Sequence, residues 1–169
     1  PVLSLIDGTE KTDEQPGLFW RTVGSDEVQA GVLASKLIEH SHTNVGLIYQ
    51  KSTYGEEFAE IVYNTFQDNG NIEPFAYTTL EQAQLAWEDV PNGTTAVVFI
   101  SSKIEDVIAF VNGASSIPKY EDIQIYLADA AADAQFLSET SSVLDDNIIG
   151  TRPALPSGSF FEEFQDSYG

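Results

Sequence analysis

The chain has 169 residues, 42% of them hydrophobic and 20% charged, which suits one globular domain with a sizeable core. Its 27 acidic and 7 basic residues give a formal charge of −20, which disfavours nucleic acid or an anionic membrane surface as a partner, since both need clustered Lys and Arg. Cysteine is absent, which excludes a disulfide framework, a thiolate nucleophile and a cysteine-based metal site, and the apolar runs fall short of the roughly 20 residues that span a membrane.

In chain order, Val2–Ile6 is a short apolar run that ends at the turn signal Asp7-Gly8-Thr9. The abrupt apolar start, with no basic leader before it, reads as the middle of a fold, so a piece of a longer protein is expected. A polar connector runs to Pro16-Gly17, and Phe19–Val23 reads as extended. Ser25-Asp26-Glu27 is an N-cap cluster in which Asp26 with Gln29 gives a capping-box pattern, and Ala30, Leu33, Ala34, Leu37 and Ile38 mark the buried stripe of the helix that follows. That helix fades at His40–His42. Asn44–Tyr49 is an apolar strand, Thr53 with Glu56 is the next capping box, and Phe58, Ile61, Val62, Thr65 and Phe66 follow at helical spacing. Ile72–Thr78 predicts a strand, and Leu80, Ala83 and Trp87 a helix that stops before Pro91-Asn92-Gly93. Thr95–Ile100 is a strand, Ser102 with Glu105 a third capping box, and Ile104, Val107, Ile108 and Val111 a helical stripe. Ile123–Leu127 is a strand, Asp133–Glu139 a short helix, Ile148–Thr151 a last strand, and Ser159 caps a closing helix to about Ser167. The strand–helix rhythm predicts a doubly wound α/β fold in three layers, with a mostly parallel sheet of five strands.

In such a sheet, ligands bind beyond the carboxyl ends of the strands. Three turns qualify: Gln50–Gly55, Ser101–Lys103 and Ala128–Asp133. Each leads into a helix N-terminus, whose unpaired N–H groups suit the carboxylate of a zwitterion, while Asp129 or Asp133 suits its ammonium. Tyr54 adds an aromatic face and a hydroxyl.

Nothing in the sequence reads as a reaction centre. His40 and His42 stand two apart, where they do not share a helical face as a metal pair at i, i+4 would. They are expected to be surface histidines at a helix C-terminus. There is no G-x-S-x-G, H-E-x-x-H or P-loop. No enzyme activity, cofactor or metal is therefore expected.

From Phe19 a resemblance emerges. FWRTVGSDEVQAGVLASKLIEH, NVGLIYQKSTYGEEFAEIVYNTFQDNG, the G-T-x-P of Gly150–Pro153 and the closing F-x-x-F-x-x-x-Y-G of Phe161–Gly169 run in the order found in the type I periplasmic binding proteins. The chain resembles their branched-chain amino-acid and amide-binding transporter branch. The resemblance implies one lobe of a two-lobed receptor with flavodoxin-like strand order, residues 1–24 ending the first lobe and crossing the hinge, and 25–169 forming the second. Carried over residue by residue, it implies ligand contacts from Ser4 and Thr9, with Asp7 and Gly8 beside them, in the first lobe. From the second lobe it implies Tyr54, Ser101, Ser102, Lys103 and Asp129. Lys103 stands where an aromatic residue is frequent, which counts against branched-chain specificity. The implied partners are a small polar ligand and the membrane permease of an ABC transporter. The implied location is periplasmic or extracellular, with a lipid anchor as one option for the full-length protein. Two alternatives remain open at this point: a ligand-sensing receptor ectodomain, and, more remotely, a flavodoxin-like flavin carrier using Ser52–Glu56 as its phosphate loop.

Overall fold

A computed structural model describes residues 25–114, 122–140 and 147–152. Ser4, Thr9, the extended Phe19–Val23 and the helix expected from Ser159 lie outside them. Among the described residues, five helices alternate with five strands: α1 (Asp26–Glu39), β1 (Asn44–Gln50), α2 (Thr53–Phe66), β2 (Asn71–Tyr77), α3 (Leu80–Leu85), β3 (Ala96–Ile100), α4 (Ile104–Ala114), β4 (Gln124–Leu127), α5 (Ala134–Thr140) and β5 (Ile148–Gly150). Single 3-10 turns at Ala86–Asp89 and Asp129–Ala131 follow α3 and β4. All strand pairs are parallel, in the order β2-β1-β3-β4-β5. This is the flavodoxin-like order expected above. Pro74 is accommodated because β2 is, among the described residues, an edge strand with β1 as its one partner.

The period of two along each strand sorts the core into two faces. Leu47, Val98, Ile100 and Tyr126 pack beneath α1 and α2, with Leu33, Leu37, Phe58 and Phe66. Ile48, Val97, Phe99 and Ile125 pack beneath α4, α5 and the Trp87 turn. On this second face four rings stack in a column. Tyr77 lies on Phe99 at 5.3 Å, Phe99 on Phe110 at 4.2 Å and Phe110 on Trp87 at 4.7 Å. The Trp87 indole donates to the Phe110 carbonyl at 2.8 Å, so its one polar atom is satisfied inside the core.

The helix starts depart from expectation by one residue. Ser25, not Asp26, caps α1 and accepts from the Val28 N–H. Ser52, not Thr53, caps α2 and accepts from the Gly55 N–H. A cap must sit in extended backbone. Ser25 (ψ 151°) and Ser52 (ψ 162°) do, whereas Asp26 and Thr53 are already helical. Gln29 donates to Thr151 at 2.8 Å, which ties α1 to the end of β5. The reciprocal capping box occurs instead at Thr79 and Gln82, at the start of α3. Ile38, placed on the buried stripe, is 38% exposed.

The end of α1 is a Schellman motif. Ser41 N–H donates to Ile38 O at 2.9 Å and His42 N–H to Leu37 O at 3.1 Å, with Ser41 left-handed at φ 59°. Glycine is the usual residue there, because a Cβ is strained in that region. Ser41→Gly is expected to stabilise the fold by about 0.5–1 kcal/mol, read as a raised midpoint in urea unfolding. Ser41→Val should lower it, and equal midpoints for the two variants would contradict the left-handed turn.

Candidate functional site

Because every strand runs the same way, the turns after β1, β3 and β4 gather at one edge of the sheet. The chain reverses its winding between β1 and β3, which opens the crevice there. Gln50 closes β1, and its buried side-chain oxygen accepts from the Ser102 hydroxyl at 2.9 Å, joining the first two turns. Ser102 thus serves the neighbouring turn rather than capping α4 as expected. Lys51 N–H donates to Tyr77 O at 2.7 Å, which ties the same turn to the end of β2.

Tyr54 lies in the first turn of α2, with its ring against Phe58 at 5.7 Å. Its hydroxyl donates to Asp129 Oδ1 at 3.2 Å. Two of the residues singled out from sequence, 75 positions apart, are therefore in direct contact across the end of β3. Both are half-buried, with part of each side chain open to solvent. Asp133 is used differently: its carboxylate accepts from the Gln135 N–H at 2.7 Å at the start of α5. Asp129 is thus the acid that the fold turns toward the other two turns.

Ser102 and Lys103 are exposed at the edge, but Ser101 is not. Ser101 is 1% exposed, donates to Asp106 Oδ2 at 3.1 Å and accepts from the Lys103 N–H at 3.0 Å. Its hydroxyl shapes the turn from inside, which corrects its expected place among the edge contacts. The same Asp106 oxygen accepts from the Tyr77 hydroxyl at 3.0 Å. Burial pushes the Tyr77 phenol well above the ordinary tyrosine range. Asp106 was missed from sequence because the apolar spacing of α4 places it off the stripe. Phe110, one turn later and also buried, was the available sign that α4 is covered on more than one side. Asp106→Ala should cost about 2 kcal/mol by leaving two buried hydroxyls without their acceptor, while Asp106→Asn should cost less; equal losses in thermal unfolding would refute this role.

Beside the Asp129 turn, a hollow of about 620 Å³ opens at the ends of β4 and β5, lined by Leu127, Phe136, Leu137 and Ile148 with Asp133 and Arg152. Among the described residues, no group of three or more His, Asp or Glu stands in a metal-holding arrangement, and no helix is long and apolar enough to cross a membrane.

No protein-family profile matches the chain, and no curated protein sequence is significantly similar. Solved structures are. A protein described as a branched-chain amino acid ABC transporter from Rhodospirillum rubrum superposes with a TM-score of 0.67 at 13% identity, over 89% of this chain and 45% of that one. The leucine-binding protein LivK of Thermotoga maritima gives 0.68 at 13% identity, over 88% and 45%. An extracellular ligand-binding receptor from Verminephrobacter eiseniae gives 0.59 at 12%, over 74% and 36%. The chain has the type I periplasmic binding protein fold. It spans less than half the length of each of these structures. At such identities the likeness establishes the periplasmic-binding fold and carries no residue roles with it.

Proposed function

We propose that this chain is the second lobe of an extracytoplasmic solute-binding protein serving an ABC-type permease, with residues 1–24 leading in from the first lobe and no catalytic role. The ligand is a small zwitterion, an amino acid or amide, held between this edge and a facing lobe. One observation carries the reading: the Tyr54–Asp129 contact, which joins two strand-end turns at the open edge of the sheet. There Asp129 would take the ligand ammonium, and Tyr54 would orient that carboxylate while stacking on the ligand. Ser102 and Lys103 are suited to its polar end, and Ser4 and Thr9 belong to the facing lobe. Contacts to both lobes favour the closed state, which the permease would read. A flavin-phosphate loop at Ser52–Glu56 fits poorly, because the Ser52 hydroxyl and Gly55 N–H already bond each other.

The 169-residue chain should show weak or unmeasurable amino-acid binding in calorimetry, since one lobe offers half the contacts. In the two-lobed protein, Asp129→Ala should weaken binding by on the order of 100-fold and Tyr54→Phe by about 10-fold. Tight binding by the isolated chain would refute the two-lobed reading. Full affinity in the Asp129 variant would refute this site.

A further inference from the structure

His40 and His42 do not behave as independent surface groups. The left-handed turn at Ser41 swings His42 back beside His40, and both rings meet β4 at the edge of the sheet opposite the ligand-facing turns. There His40 Nδ1 lies 2.7 Å from Tyr126 Oη and 3.2 Å from Gln124 Oε1. His42 Nε2 lies 3.0 Å from the same hydroxyl and 3.2 Å from the same amide oxygen. Tyr126 Oη and Gln124 Oε1 are 3.1 Å apart. Gln124 and Tyr126, two residues apart on one strand, point to one face of the sheet.

We propose that these four side chains form a binding site for one divalent transition-metal ion of the zinc class. Five of the six separations between the four donor atoms fall within 2.7–3.2 Å. Donors bonded at about 2.0–2.2 Å around a tetrahedral zinc stand only slightly farther apart than that. Imidazole is the ligand that selects zinc, copper and nickel over the hard cations that an acidic surface attracts. The surroundings of His42 admit the ligating tautomer. Thr95 donates its hydroxyl hydrogen to Asn44 O at 3.1 Å, so its oxygen can accept from His42 Nδ1 at 3.2 Å. In that tautomer the Nε2 lone pair faces Tyr126 and Gln124, the arrangement in which an outer hydrogen bond fixes a ligating histidine. The two ring centroids are 6.2 Å apart, so the rings must draw together on binding. His40, at the end of α1, is the more exposed of the two rings, so the movement falls to it.

The experiment is calorimetric titration of the chain with Zn²⁺, with Co²⁺ as the spectroscopic probe. One ion per chain is expected, with Co²⁺ giving visible bands of tetrahedral strength and excess Mg²⁺ leaving Zn²⁺ binding unchanged. The His40→Ala, His42→Ala double variant should lose at least about 100-fold in affinity, and Thr95→Val about 10- to 100-fold. His40→Ala alone removes an exposed side chain, so it keeps the test decisive if the double variant folds poorly. The proposal is overturned if the native chain shows no saturable one-to-one binding. It is equally overturned if the folded His40→Ala variant binds Zn²⁺ as tightly as the native chain, since the acidic surface would then be the ligand.

Discussion

Phe99→Ala is expected to destabilise the fold by about 3–5 kcal/mol. Phe99 is fully buried near the end of β3, the middle strand of the sheet, and holds the middle of the ring column, with Tyr77 at 5.3 Å and Phe110 at 4.2 Å. Alanine leaves a ring-sized void between two sheet strands and a helix, and none of the three can close on it without breaking ladder bonds. The loss is a large share of the roughly 5–15 kcal/mol that holds a domain of this size. Phe99→Leu keeps most of the volume and should cost clearly less. Urea unfolding measures both, and a loss below about 1 kcal/mol in the alanine variant would show that the column does not carry the core.

Gly55→Ala is expected to cost about 3 kcal/mol or more. A Cβ at Gly55 would stand 2.0 Å from the Gln50 carbonyl oxygen, which is backbone and cannot rotate away. Either the first turn of α2 lifts off β1 or its end unwinds, and Tyr54 moves with it. Gly31 supplies the contrast. It lies inside α1 with nothing within 4 Å of its added Cβ, so Gly31→Ala should gain about 0.5–1 kcal/mol. Opposite signs for the two glycines in thermal unfolding are the expected result. Matching signs would mean that the α2–β1 contact is looser than the structure has it.

Much of the fold was legible in the sequence because it rests on short-range periodicity. The buried stripe Ala30, Leu33, Ala34 and Leu37 and the runs at Asn44–Tyr49 and Thr95–Ile100 are statements about which faces must leave water, and burial obeys them. The parallel sheet, and the single edge at which the turns after its strands gather, follow from the strand–helix alternation. The single-residue errors at Ser25 and Ser52 have one cause: hydroxyl and carboxyl residues cluster at helix starts, and only the local ψ selects which of them caps.

Tertiary structure decided what depends on distant pairs. That Tyr54 reaches Asp129, that Ser101 turns inward to Asp106, and that Gln50 joins Ser102 are consequences of strand order and register. No local pattern encodes them. The histidines show the same division most plainly. Along the sequence, two positions apart at a helix end, His40 and His42 read as strangers to each other. One left-handed residue between them and one tyrosine on a strand 84 residues beyond His42 bring both rings to a single hydroxyl.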